Sequence, residues 1–206
     1  MIYLIWLLKM ISSLLMKYLV AWPLTPLIVL FTDDSGNLPN WLSWFQTHDA
    51  NMDAISVRTG KIDKAWAESR WFKIEDRHWK RYINRCGWIW RNSVYGYNHS
   101  VLAIPFNRYQ KLAVFGDSLV TSSPKGKAGL VKRYLYEVDF EDEGKYKLIA
   151  WQWYLVKRFK NILKGRCLRV SIGYKLWSWD AWQKTKKEEI AKGHAAGSIG
   201  FQKFIT

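Results

Sequence analysis

The sequence has 206 residues, room for one ordinary domain and an appended segment, and carries 14 Trp, 11 Tyr and a formal net charge of +15. Its two cysteines, Cys86 and Cys167, lie far apart and outside any C-x-x-C spacing, which excludes a zinc site built from thiolates alone and suits a reducing compartment. Residues 1–56 hold Lys9 and Lys17 against four aspartates, whereas residues 57–206 hold thirty basic against thirteen acidic side chains, so the body is a cation that attracts phosphate backbones or anionic lipid.

Residues 1–31 form an apolar run interrupted only by Lys9 and Lys17. As one helix it would reach roughly 45 Å, more than the roughly 30 Å hydrocarbon core of a bilayer. Lys9, Ser12, Ser13 and Lys17 share one arc of that helix, and Pro23 and Pro26 are expected to break or kink it. Three placements stay open: a tilted span with snorkelling lysines, an interfacial helix with a short inserted part, or a helix packed on protein. No signal-peptidase site is expected, and the lysine and arginine balance favours a basic domain on the cytoplasmic side.

Residues 32–40 read as a polar hinge, with Gly36 and Pro39 as punctuation, before a basic Trp-rich domain over 41–206. Trp41, Trp44 and Phe45 come directly beyond the apolar run, the place of an interfacial aromatic belt. They could equally pack on the domain body. Asp63 is expected to cap a helix from about Lys64 to Arg85, with Trp71, Ile74, His78, Tyr82 and Cys86 on one side. Arg70, Lys73, Arg77, Lys80 and Arg81 make its basic side, a candidate anion-binding face or a solvated one.

From Tyr97 onward the pattern alternates in twos, predicting short strands over 97–106 and 111–115. A meander follows over 130–140, 145–158 and 168–176, its first turn made by the acidic stretch 141–144. Asn161 to Gly165 makes the next turn. A helix over 179–192, with Asp180 as its cap, and a last strand near 199–205 complete an α+β reading: an apolar helix, a basic amphipathic helix and an antiparallel meander forming a sheet or small partial barrel. The strands are too few for a single-chain outer-membrane barrel, which starts at about eight.

The residues Trp41 to Asp49 (WLSWFQTHD) resemble a W-L-x-W-F-Q-T-x-D motif, and Trp88 to Tyr97 (WIWRNSVYGY) resemble W-x-W-R-N-P-A-Y-G-F. Arg166 to Leu176 is similar to an R-C-hydrophobic-R-x-x-x-G-[WY]-K segment. All three belong to a family of small uncharacterised tailed-bacteriophage proteins. Here His48 stands where proline is frequent, and Ser93-Val94 replaces Pro-Ala. The resemblance implies a phage origin and marks Gln46, Thr47, Asp49, Arg91, Asn92, Tyr95 and Gly96 as motif residues, with no activity attached.

Enzyme chemistry has a thin basis. His48, Asp49 and Asp53 could hold a divalent metal, but their spacing matches no metal motif, and Asp49 suits a turn or helix cap. Asp117-Ser118 sits in a G-D-S-L block without the histidine base that a serine hydrolase needs, so it reads as a turn. No catalytic residue, metal or cofactor is assigned. The expected function is a non-enzymatic phage accessory protein at the host inner membrane, binding anionic lipid and a phage or host protein partner in host takeover, superinfection exclusion or genome delivery. The alternative is a virion component contacting DNA and neighbouring subunits, and the third is a metal-dependent hydrolase.

Overall fold

A computed structural model describes residues 1–68, 79–120, 127–138, 145–159, 166–185 and 192–203. The apolar run is helical: α1 (Ile2–Leu15) passes through a π-helical turn (Met16–Ala21) into α2 (Trp22–Val29). The two prolines do not end it. Pro23 falls in the first turn of α2, where its fixed φ suits the helix. The widened turn just before it lets the Trp22 N–H reach back to the Lys17 carbonyl. Thr25, fully buried, donates its hydroxyl to the Ala21 carbonyl at 2.6 Å.

The chain groups into two compact units: residues 1–10 with 103–206, and residues 11–102. The first is built on an open five-stranded antiparallel sheet, ordered β2 (Gln110–Gly116), β3 (Gly129–Val138), β4 (Tyr146–Arg158), β5 (Arg166–Tyr174) and β7 (Ala195–Lys203). The expected meander is β3–β4–β5, and the last strand covers the β5 edge. The turns 141–144 and 161–165 lie outside the described residues. Ile104–Pro105 (β1) pairs only with Lys192–Gly193 (β6). The strand expected over 97–106 is mostly helical turn, because Tyr95–Tyr97 and Asn98–Leu102 wind around a close glycine approach described below.

Alternation places Val131, Tyr154, Val156 and Cys167 on one face of the sheet, where they form a buried cluster with Val120. The helix α6 (Trp177–Thr185) lies on that side, with the Trp177 ring 6.0 Å from Tyr154. It starts before Asp180, which is therefore inside the helix and not its cap. The opposite face receives the N-terminal residues. The rings of Tyr3 and Trp6 meet Trp151 at 4.8 and 5.3 Å, and Lys9 lies over Tyr174. The Trp6 indole N–H donates to the Gly173 carbonyl at 3.0 Å. Gly173 has φ +104°, and a Cβ there would run into the Trp151 carbonyl, so this position of the third motif admits only glycine.

In the second unit, Ala21, Ile28 and Val29 of the long helix join Leu38, Leu42, Phe45, Met52, Trp66, Cys86, Trp88 and Ile89 in one core. Among the described residues, the helix expected from Lys64 to Arg85 is represented by two elements. Asp63 does cap the first, accepting the Trp66 N–H at 2.7 Å, but α3 is only Lys64–Ala67. The second, α4, is Lys80–Asn92, so the Trp88–Asn92 motif is its last turns. Arg70, Trp71, Lys73, Ile74, Arg77 and His78 lie outside the described residues. The stretch 32–40 is a pinned loop: Asp33 Oδ1 accepts the Asn37 N–H at 2.7 Å and Leu38 is buried.

Candidate functional site

The first two motifs meet each other. Gly96, in α5 (Tyr95–Tyr97), lies so close to the 3-10 helix Asn40–Phe45 that a Cβ would strike the carbonyl oxygens of Gln46, Ser43 and Trp44. Tyr97 then meets the Trp44 ring at 5.8 Å and shares a 2.7 Å hydrogen bond with the Ser12 hydroxyl. The side chain of Gln46 accepts the Leu38 N–H at 2.8 Å and donates to Asn37 Oδ1 at 3.2 Å. Buried Thr47 donates to the Ala50 carbonyl at 2.8 Å. These residues tie loop to loop.

No helix begins at Ala50. The turn there is closed by Asn51, whose Oδ1 accepts from the Asp53 and Ile55 N–H groups, and not by Asp49, which stays exposed. Asp53 is held by two arginines of α4: Arg85 at 2.7 and 2.9 Å and Arg81 at 2.9 Å. The same guanidiniums reach the carbonyls of Asp33 and Asp34. Burial works to raise the Asp53 pKa, but the hydrogen bonds and charges of Arg85 and Arg81 outweigh it and hold the carboxyl below its usual range. A carboxylate bound this way has both oxygens committed to guanidinium, which is poor preparation for a metal. Arg81 serves the same lock.

His48 stacks with two rings: Tyr95 at 5.3 Å and 8°, and His99 at 3.9 Å and 11°. The two imidazoles bring a ring nitrogen each within 4.8 Å. Near-parallel planes, however, keep their in-plane lone pairs from converging on one ion. Tyr95 is pushed up to about 12, first by burial and then by the charge of Asp49. Arg91 lies 5.8 Å from the rings of both Trp66 and Trp88 and 3.5 Å from Asp63, and Asn92 donates back to the Trp88 carbonyl. The first two motifs are thus a packing and hydrogen-bonding lattice around α4. Nucleophile, base and oxyanion donors do not come together among the described residues. Asp117 closes its own turn, accepting the Leu119 N–H at 2.9 Å and pairing with Lys127 at 2.9 Å, which leaves Ser118 beside a structural carboxylate.

What remains unsatisfied is apolar surface. The helix Ile2–Val29 is long and apolar enough to cross a membrane, and only 11% of its most apolar stretch is buried. Its covered side takes in its hydroxyl residues: Ser13 and Thr25 are buried along with Ala21, Ile28 and Val29, and Ser12 is bonded to Tyr97. Lys17 sits over the rings of Tyr18 and Trp22. Leu8, Leu15, Leu19 and Leu27 stand open, each more than half exposed. Beyond the helix, Trp41 is 68% exposed and Trp44 46%, while Phe45, expected beside them, faces the core. A turn of 3-10 helix separates them in direction, a rotation that composition does not reveal.

The family of unknown function DUF7338 matches residues 1–194. No curated protein and no solved structure matches the chain.

Proposed function

Because the chain belongs to this family of unknown function, its role is read from its own surfaces, and we propose that it is a non-enzymatic bacteriophage accessory protein held at the host inner membrane. The observation that carries this reading is the helix Ile2–Val29, with its polar residues turned to protein and its leucines to the outside. Burying those leucines in lipid gains roughly 1.5–3 kcal/mol for each side chain fully covered. The net charge of +15 adds attraction to anionic headgroups, and Trp41 and Trp44 suit the headgroup depth. The basic domain stays on the cytoplasmic side and recruits a phage or host protein in takeover, exclusion or genome delivery.

Fractionation of infected cells and of purified particles tests it. The protein is expected in the inner-membrane fraction, and Leu8→Glu with Leu19→Glu is expected to move it to the soluble fraction with unchanged circular dichroism, since both positions are exposed. Deleting the helix would be a poorer test, because Ala21, Ile28 and Val29 belong to the core. Protein recovered only by dissociating virions would replace this reading with that of a structural subunit.

A further inference from the structure

The five-stranded sheet has a second apolar face that the N-terminal residues cover only in part. Directly paired residues share a face, so the pairings Phe115 with Lys132, Lys132 with Trp153, and Trp153 with Ile172 define one row across the sheet. Leu130, Leu155, Val170 and Ile199 define the next. Ile199 is 79% exposed, Phe115 57%, Phe201 49% and Leu130 45%. These positions lie on the face that carries Tyr3 and Trp6, opposite the cluster of Val131, Tyr154 and Cys167. A monomeric soluble protein rarely leaves such a patch uncovered.

Charge says what covers it. The charged residues placed on this face by strand register are cations: Lys111, Lys132, over the Trp153 ring at 5.4 Å, Lys157, Arg166, over Phe201 at 5.5 Å, and Lys203. Carboxylates do not occur at the corresponding positions of the described strands. Aliphatic side chains in the middle with lysine and arginine beside aromatics is the arrangement of a surface seated at the boundary between acyl chains and anionic headgroups. A single-stranded nucleic acid would instead use successive aromatic platforms along a basic groove, whereas here the aliphatic row of Leu130, Leu155, Val170 and Ile199 separates Phe115 and Trp153 from Phe201.

We infer that this sheet face, together with the outward side of residues 1–10, seats in one membrane leaflet, so that the N-terminal helix lies along the membrane and does not cross it at that end. Residues docked on a sheet through Tyr3, Trp6 and Lys9 cannot also be surrounded by lipid. A helix is about 10 Å thick, and interfacial elements sink about 5–10 Å into the leaflet. A leaflet that takes the outer side of residues 1–10 therefore reaches the sheet beside them. The inference rests on the membrane reading above and deepens it by naming the surface and the manner of attachment.

The test uses the full chain. Cys86 and Cys167 are both buried, so a cysteine introduced at the surface is labelled selectively with an environment-sensitive fluorophore. Ile199→Cys reports the open face and Lys184→Cys, exposed on α6 at the other face, is its control. With vesicles of phosphatidylethanolamine and phosphatidylglycerol, the label at 199 is expected to shift to the blue and to be quenched by lipid-borne nitroxide, while the label at 184 stays in water. Flotation with the vesicles while the label at 199 stays in water would overturn the sheet-face inference and leave the membrane reading standing. Absence of flotation would overturn both. A blue shift at 199 without vesicles, growing with protein concentration, would assign the face to a second copy of the chain, and protection there by a single-stranded oligonucleotide alone would assign it to nucleic acid; either overturns the inference.

Discussion

The indole N–H of Trp90 donates to the carbonyl of Trp22 at 3.2 Å. That carbonyl lies four residues before Pro26, which has no N–H to give it, so a residue of the W-x-W-R-N motif fills the place left by a proline in the apolar helix. One turn on, the Tyr82 hydroxyl donates to the Pro26 carbonyl at 3.0 Å. Together they explain how a helix with two prolines stays continuous against α4.

Trp90→Phe is expected to cost about 1 kcal/mol, the net worth of one hydrogen bond. In a Pro26→Ala background, where the alanine N–H can serve Trp22, the same change should cost less. Thermal unfolding of the four proteins in mild detergent measures the coupling; strictly additive losses would show that the two residues do not share the carbonyl.

Arg85→Ala should be the costly half of the Asp53 lock, at about 3 kcal/mol, because its side chain is 9% exposed and its loss strands a half-buried carboxylate. Arg81 is 55% exposed, and Arg81→Ala should cost about 0.5 kcal/mol. Denaturant midpoints at neutral pH separate the two.

The same lock sets an acid limit. The Asp53 pKa is depressed in the folded protein, so its contribution is present above the unfolded aspartate range and is lost as pH falls through the lower folded value. Stability measured down an acid series should decline in that window, and Asp53→Asn, less stable at neutral pH, should show a shallower decline. Parallel declines would remove Asp53 from the account.

At the alkaline end Tyr95 acts in the reverse sense. Its pKa is raised to about 12, so its contribution is full below the ordinary tyrosine range, near about 10, and is lost as pH rises through the folded value. Ultraviolet titration of the parent against Tyr95→Phe should show one late-ionising phenol. Asp49→Asn should bring it down only partly, since burial is the larger cause.

Gly96→Ala is expected to cost about 3 kcal/mol or to prevent folding, by driving a methyl into three backbone carbonyls. Gly60→Ala is the comparison: its φ of +65° brings strain of about 1–2 kcal/mol, but the space around it is open. Equal losses in melting temperature would mean that the motif contact is not tight.

The apolar helix and the β3–β5 meander are legible in the sequence because a leucine-rich run with only two charges and a period of two admit few other structures. The start of α4 is not, since Lys64 and Lys80 stand in one continuous amphipathic pattern. The stretch 97–106 alternates like a strand, yet Gly96 and Ser12 hold its beginning in helical turns through contacts distant in sequence. His48, Asp49 and Asp53 look like a ligand set when only spacing is seen. The partners that claim them, Tyr95, His99, Arg81 and Arg85, come from α4 and the turns beyond it.

Gly173 ties its carbonyl to Trp6 across 167 positions of sequence. The seat for residues 1–10 therefore forms only after Trp151 and Gly173 have been synthesised. Until then Tyr3 and Trp6 have no sheet to pack on, and the nascent chain carries their rings uncovered.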